Sequence, residues 1–302
     1  MKIATTIRGM EAYAKSPSQV VSLFADIPFR YLDYDFGSVL DVSDHWFMSD
    51  GWRTEIQKTK EEADRLGIRF VQAHAPDCVL QGEKAELGIS ATIRAIEACG
   101  ILGITRMVVH SGFFPEIKYP DGAEEYFKIN APYFRALIPQ MEKYQVHILF
   151  ENTTIKHCRE GCYFPIYAKD LNAMVSYMNH PLFGAAWDVG HANIDGIDHE
   201  KEILELGSNL GAIHVHDNRG YSDEHLMPMM GNCDYDSLMR GLIQSGFDGY
   251  FTLEVKHLFD YHRNVRSDGV LSKGDLSIKQ EALSLMYRVC KHILSSYDVY
   301  EE

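Results

Sequence analysis

Histidines and carboxylates recur at one kind of position along this chain. Short apolar runs end Val71-Gln72-Ala73-His74, Met107-Val108-Val109-His110, Ile148-Leu149-Phe150-Glu151, Ala185-Ala186-Trp187-Asp188, His214-Val215-His216 and Phe251-Thr252-Leu253-Glu254. One such residue alone is most often a satisfied core histidine or a solvated strand end. Six in succession argue for side chains gathered at one place. Carboxylates gathered in a concave site repel one another unless a cation neutralises them. Two Glu, one Asp and neutral imidazoles form a hard-to-borderline set of nitrogen and oxygen donors. Such a set suits Mn²⁺, Co²⁺, Mg²⁺ or Zn²⁺ rather than thiolate-seeking metals. We therefore expect a divalent metal site, with Mn²⁺ first among these. Two further pairs follow the ligand-bearing runs. His191 lies three residues past Asp188, in the loop over the site, and Asp223-Glu224-His225 lies in the loop after the seventh run. Both read as supporting or second-metal groups.

For these ends to meet, the runs must be neighbouring strands with a common direction. The expected strands are Lys2–Ile7, Phe29–Tyr34, Arg69–His74, Arg106–His110, Val146–Glu151, Gly184–Asp188, Gly211–His216 and Gly249–Glu254. They are short and rich in Val, Ile and aromatics, as strands buried on both faces should be. Amphipathic segments lie between them: Arg53–Leu66, Ala85–Leu102, Ala123–Tyr144, Ala168–Met178, His199–Ser208 and Tyr235–Ser245, with Ile278–Ser295 closing the series. Gly67, Gly103 and Gly246 stand where a left-handed helix stop belongs. Eight such units without a Pro/Gly/Ser-rich linker predict an α/β fold, a (β/α)₈ TIM barrel forming a single domain over residues 1–302. A doubly wound open sheet is the rival, but no GxGxxG turn follows the first strand.

Composition narrows the function. The 302 residues are 46% hydrophobic, and 29 Lys plus Arg stand against 43 Asp plus Glu, a formal charge of −14. That acidity disfavours nucleic acid and anionic membranes as partners. Six cysteines, with no pair of CxxC knuckles, read as reduced thiols; Cys158 and Cys162 are ordinary loop thiols. The start, Met1 to Thr6, is too short and polar for a secretion signal, and no run approaches 18 apolar residues. The expected location is the cytoplasm.

In order along the chain, Phe150-Glu151-Asn152, Trp187-Asp188-Val189-Gly190-His191, Ile213-His214-Val215-His216-Asp217-Asn218, Asp223-Glu224-His225-Leu226 and Leu253-Glu254-Val255 resemble the xylose-isomerase-like barrels. That group holds sugar (phosphate) isomerases and epimerases and, more distantly, the endonuclease IV repair enzymes. The resemblance implies one metal on Glu151, Asp188, a strand-7 histidine and Glu254. Side chains at i and i+2 share a face, so His214 and His216 both stay candidates. It also implies proton movement next to a sugar carbonyl through an enediolate, with Glu151 and Glu254 as the acid–base pair. His191 would bond a substrate oxygen, Arg219 would hold a hydroxyl or carboxylate, and His74 and His110 would line the pocket. Phe113-Phe114 would form a pocket wall. The expected partner is a small carbohydrate, with room for a second copy of the chain or a small partner subunit. Two alternatives remain open. One is a lyase on a keto sugar or keto-inositol. The other is an endonuclease IV-like phosphodiesterase, whose extra metal ligands would correspond to His74, His110, His191, Asp223 and His225. The chain departs from the family at Pro228-Met229-Met230-Gly231, where Pro-Gly-x-Gly is common. That exchange predicts a more apolar loop rim.

Overall fold

A computed structural model describes residues 1–41, 45–77, 83–114, 116–155, 163–256, 258–259 and 274–302. Cys158 and Cys162 lie outside the described residues. The strands are β1 (Ile3–Thr6), β2 (Tyr31–Asp35), β3 (Arg69–His74), β4 (Arg106–Val109), β5 (His147–Glu151), β6 (Phe183–Asp188), β7 (Leu210–His214) and β8 (Phe251–Leu253). All neighbours are parallel, in the order β7-β6-β5-β4-β3-β2-β1-β8. Just past β7, Val215 bridges in parallel to Leu253. Val215 N donates to Thr252 O at 2.8 Å, and Glu254 N donates to Val215 O at 3.0 Å. The eight strands thus form the expected (β/α)₈ barrel.

The helices are α1 (Pro17–Ser22), α2 (Trp52–Leu66), α3 (Glu83–Leu102), α4 (Ala123–Tyr144), α5 (Ala168–Met178), α6 (Val189–Asp195), α7 (His199–Leu206), α8 (Tyr235–Gln244) and α9 (Leu276–Ser296). In α2, Trp52, Ile56, Thr59 and Ala63 are buried, one stripe at helical spacing, and Gly67 ends the helix at φ 66°. Two helices, α1 and α6, fall outside the segments expected from periodicity. No helix among the described residues is long and apolar enough to cross a membrane.

Alternation along each strand sorts the barrel interior into layers. Two residues before the functional strand ends stand Gln72, Val108, Leu149, Ala186, Ala212 and Thr252, with Asp33 two before Asp35. Val108, Leu149, Ala186 and Ala212 pack as their own apolar cluster. They form the floor on which half of the site stands.

Candidate active site

The strand ends converge as expected. His74, Glu151 and Asp188 end their strands, His110 and Glu254 follow theirs directly, and His214 ends β7. Donor atoms of Glu151, Asp188, His214 and Glu254 lie within 4.8 Å of one another, and all four residues are buried. Two more groups meet the same limit: His74, His110 and Glu151, and His216, Asp223 and His225. The two strand-7 histidines therefore part company. His214 faces Glu151 and Glu254, whereas His216 stands beside Asp188 (3.2 Å), Asp223 (3.6 Å) and His225, whose ring centroid is 4.0 Å away.

Local structure explains several placements. Asp188 caps α6, and Oδ1 accepts from the His191 backbone N–H at 2.6 Å. His191 thus rides on a one-turn-and-more helix rather than in a loop, and its Nδ1 lies 2.9 Å from Asn152 O. Asn152 clamps the same turn, bonding Asp188 N at 2.6 Å and Asp188 O at 3.0 Å. Gly190 is required by close approach: a Cβ there would lie 1.9 Å from His216 Cε1. His110, half exposed at the lip, sits 2.6 Å from Glu151 Oε2. His225 is held between the Glu254 carbonyl (2.6 Å) and Asp223 Oδ2 (2.9 Å).

The donor set suits a cation. Nε2 of His74, Nε2 of His214, Nδ1 of His216 and Oδ1 of Asp223 are buried without a hydrogen-bond partner. Buried polar atoms are ordinarily paired, so converging orphans mark a site shaped for something else. In the metal-free chain, protonated imidazoles balance the carboxylates. Burial would raise the Glu151 carboxyl, but the His214 and His110 imidazoliums outweigh it and hold it well below the usual range. Glu254 is held low against burial by Lys256, His214 and His225. Burial opposes protonation of His214, yet Glu151 and Glu254 pull its pKa up to about 10.

Above these groups lies a cavity of about 370 Å³, lined among others by Phe113, Phe164, His110, Glu151, Glu254 and Lys256. Phe113 is 52% exposed and stacks on Phe164 at 5.5 Å, while Phe114 is buried in the core. Of the proposed wall, only Phe113 faces the cavity. Arg219 is absent from that lining and pairs instead with Glu224. Met229 and Met230 are 62% and 52% exposed, with Met229 at φ 70°, so this rim is apolar where a glycine would be unstrained. Two residues escape the sequence reading. Lys256 Nζ lies 2.7 Å from Glu254 Oε1, and Asp33, 1% exposed, faces His214 from β2.

With the barrel and its mouth defined, the chain belongs to the xylose isomerase-like TIM barrel family, whose model matches residues 23–267. It is 27% identical over 212 residues to an uncharacterised protein of Methanocaldococcus jannaschii, covering 68% of this chain and 70% of that protein. A 55-residue stretch is 36% identical to fructoselysine 3-epimerase of Escherichia coli O157:H7, spanning 18% of this chain and 20% of that enzyme. Among solved structures, D-psicose 3-epimerase with D-tagatose from Clostridium cellulolyticum H10 superposes with a TM-score of 0.73 at 16% identity. That match covers 97% of this chain and 99% of the other.

Proposed function

We propose that this protein is a divalent-metal-dependent sugar isomerase or epimerase that moves a proton next to a carbonyl. The observation that carries the reading is the pair of buried carboxylates, Glu151 and Glu254, which meet one histidine nitrogen and open on one cavity. The epimerase names among the relatives and the matching fold support it. Glu151, Asp188, His214 and Glu254 would hold the ion. When bound, a divalent cation supplies electrostatic stabilisation for negative charge developing on a ketose carbonyl oxygen.

The chain's own residues do the rest. One of the two, as carboxylate, takes the proton from the carbon beside the carbonyl, leaving an enediolate, and the other, entering the step as the acid after taking a proton from solvent, returns that proton to carbon. Return to the opposite face inverts the centre; return to the neighbouring carbon, with that carbon's hydroxyl proton passing to the former carbonyl oxygen, moves the carbonyl. His110 donates to Glu151 and keeps one of its oxygens oriented, while Lys256 does the same for Glu254. His191 stands at the cavity wall as a donor to a substrate oxygen, His225 lines the same wall with both ring nitrogens held by Glu254 O and Asp223, and the Phe113–Phe164 stack offers an apolar surface to a sugar's C–H face. Arg219, tied to Glu224, takes no part in this scheme.

A second reading is favoured by one observation: three donor groups gather at the mouth, two of them sharing Glu151, as a three-metal phosphodiesterase would need. A lyase that expels a β-substituent from the same enediolate is the third. Incubating the Mn²⁺-loaded protein with D-psicose, D-tagatose and D-fructose and following products by NMR tests all of them. Appearance of an epimer or isomer, abolished by chelation, supports the main reading. An unsaturated product identifies the lyase. Three metals per chain with cleavage of abasic DNA, and inert sugars, would replace it with the phosphodiesterase.

A further inference from the structure

We propose that Asp33 is the positioning residue of His214: from the inner face of β2 it selects the imidazole orientation that turns Nδ1 toward Glu151 and Glu254. This rests on the reading of Glu151, Asp188, His214 and Glu254 as a metal-binding set.

The two nitrogens of His214 face different partners. Nδ1 contacts Glu151 Oε1 and lies 3.9 Å from Glu254 Oε2. Nε2 points the other way, lies 3.9 Å from Asp33 Oδ2 and has no hydrogen-bond partner. Asp33 is 1% exposed, and its Oδ1 also lacks a partner. Gln72, beside Asp33 in the sheet register, accepts from Thr252 Oγ1 at 3.4 Å, and its Nε2 makes no hydrogen bond to Asp33. A buried carboxylate is costly unless a cation or a donor answers it. His214 lies directly opposite and can supply an N–H.

An imidazole can bind a cation through one nitrogen only when the proton sits on the other. A carboxylate that accepts from Nε2–H fixes that tautomer, holds the ring plane and makes Nδ1 a stronger donor. Asp33 is outside the four-residue ligand set itself, and it lies one layer below. Its role is thus exerted through His214 and not on the substrate. Buried with its Oδ1 unpaired, Asp33 is costly to the metal-free chain, and its benefit appears when the site is filled.

The test is Co²⁺ titration of wild type, Asp33→Asn and Asp33→Leu, read by visible absorption, beside thermal unfolding of each metal-free protein. Loss of such an outer partner weakens metal binding by about 10- to 100-fold. The expected order is wild type tightest, Asp33→Asn intermediate, because its amide oxygen still accepts, and Asp33→Leu weakest. The metal-free midpoints of both variants should equal or exceed that of wild type. On NMR of the Zn²⁺-loaded proteins, the His214 Nε2–H proton should be shifted downfield and slow to exchange in wild type, as a proton donated to a carboxylate is, and lose both marks in Asp33→Leu. If the variants bind Co²⁺ as tightly as wild type with the same spectrum, the proposal is overturned. It is equally overturned if binding falls only in step with a lowered midpoint. A wild type that binds no Co²⁺ would instead overturn the metal-site reading beneath it. Should Asp33→Leu fail to fold, Asp33→Asn and the NMR signature decide the matter.

Discussion

The interior layer beneath the mouth is made of two unlike halves. Under β4 to β7 it consists of Val108, Leu149, Ala186 and Ala212, a closed apolar cluster. Under β8, β2 and β3 it consists of Thr252, Asp33 and Gln72, all buried, with unpaired atoms on two of them. The apolar half serves the strands that bear His110, Glu151, Asp188 and His214, and it does so by ordinary close packing. The polar half gives up stability, since orphaned buried groups are penalised. Such a sacrifice is expected where a site, rather than the fold, dictates residue type.

A second contrast points the same way. The opposite end of the barrel carries a larger cavity, about 740 Å³, lined by Arg106, His147, His180 and backbone-exposing residues such as Gly184 and Gly211. It holds two histidines but no carboxylate in its lining. The mouth cavity is half that size, yet the donors converge there, which makes it the candidate site. Chemistry, not volume, separates the two ends.

These contrasts can be broken by substitution. The largest effect belongs to Glu151→Gln and Glu254→Gln, each expected to lower turnover by about 10²- to 10⁴-fold, measured as epimer formed per minute by NMR. Leu149→Ala, in the apolar half, should cost about 3 kcal/mol in denaturant unfolding while leaving Co²⁺ affinity unchanged. An altered affinity there would blur the division between the halves. Next comes pH. With His214 at about 10 in the metal-free protein, binding must displace a proton at neutral pH, so affinity should rise about tenfold per unit for each proton released. Calorimetry in two buffers of different ionisation heat reads that proton directly. The metal-free chain should behave oppositely: the stability from the raised His214 pKa is present below about 6.5 and fades as pH climbs through 10. The smallest effect is Phe113→Ala, expected to raise KM a few-fold with kcat nearly unchanged, because an exposed stacking surface binds ground and transition states alike.

Much of this was readable in the chain. The barrel follows from the alternation of elements, and the limits of α4 and α5 coincide with the segments expected from periodicity. The strand-end residues converge because the sheet is parallel and closed. Where reading stopped, physical reasons are visible. Helices α1 and α6 are six and seven residues long, too short to show a period. His214 and His216 share one face by alternation, and only the position of Asp223 and His225 separates them. Asp33 lies in Tyr31-Leu32-Asp33-Tyr34-Asp35, where alternating acids look like a solvated face; the closed barrel turns that face inward. Lys256 follows a strand, where a lysine is ordinarily solvated, and its value appears only once Glu254 lies 2.7 Å away.

The central claim is proton exchange next to a carbonyl by Glu151 and Glu254. The direct measurement is incubation of the Mn²⁺-loaded protein with D-psicose or D-tagatose in D₂O, followed by mass spectrometry and NMR of the recovered sugar. The account predicts one deuterium at the carbon beside the carbonyl. It should vanish with chelator and in Glu151→Gln and Glu254→Gln. Metal-loaded protein that introduces no deuterium into either of these or a wider panel of ketoses would contradict it.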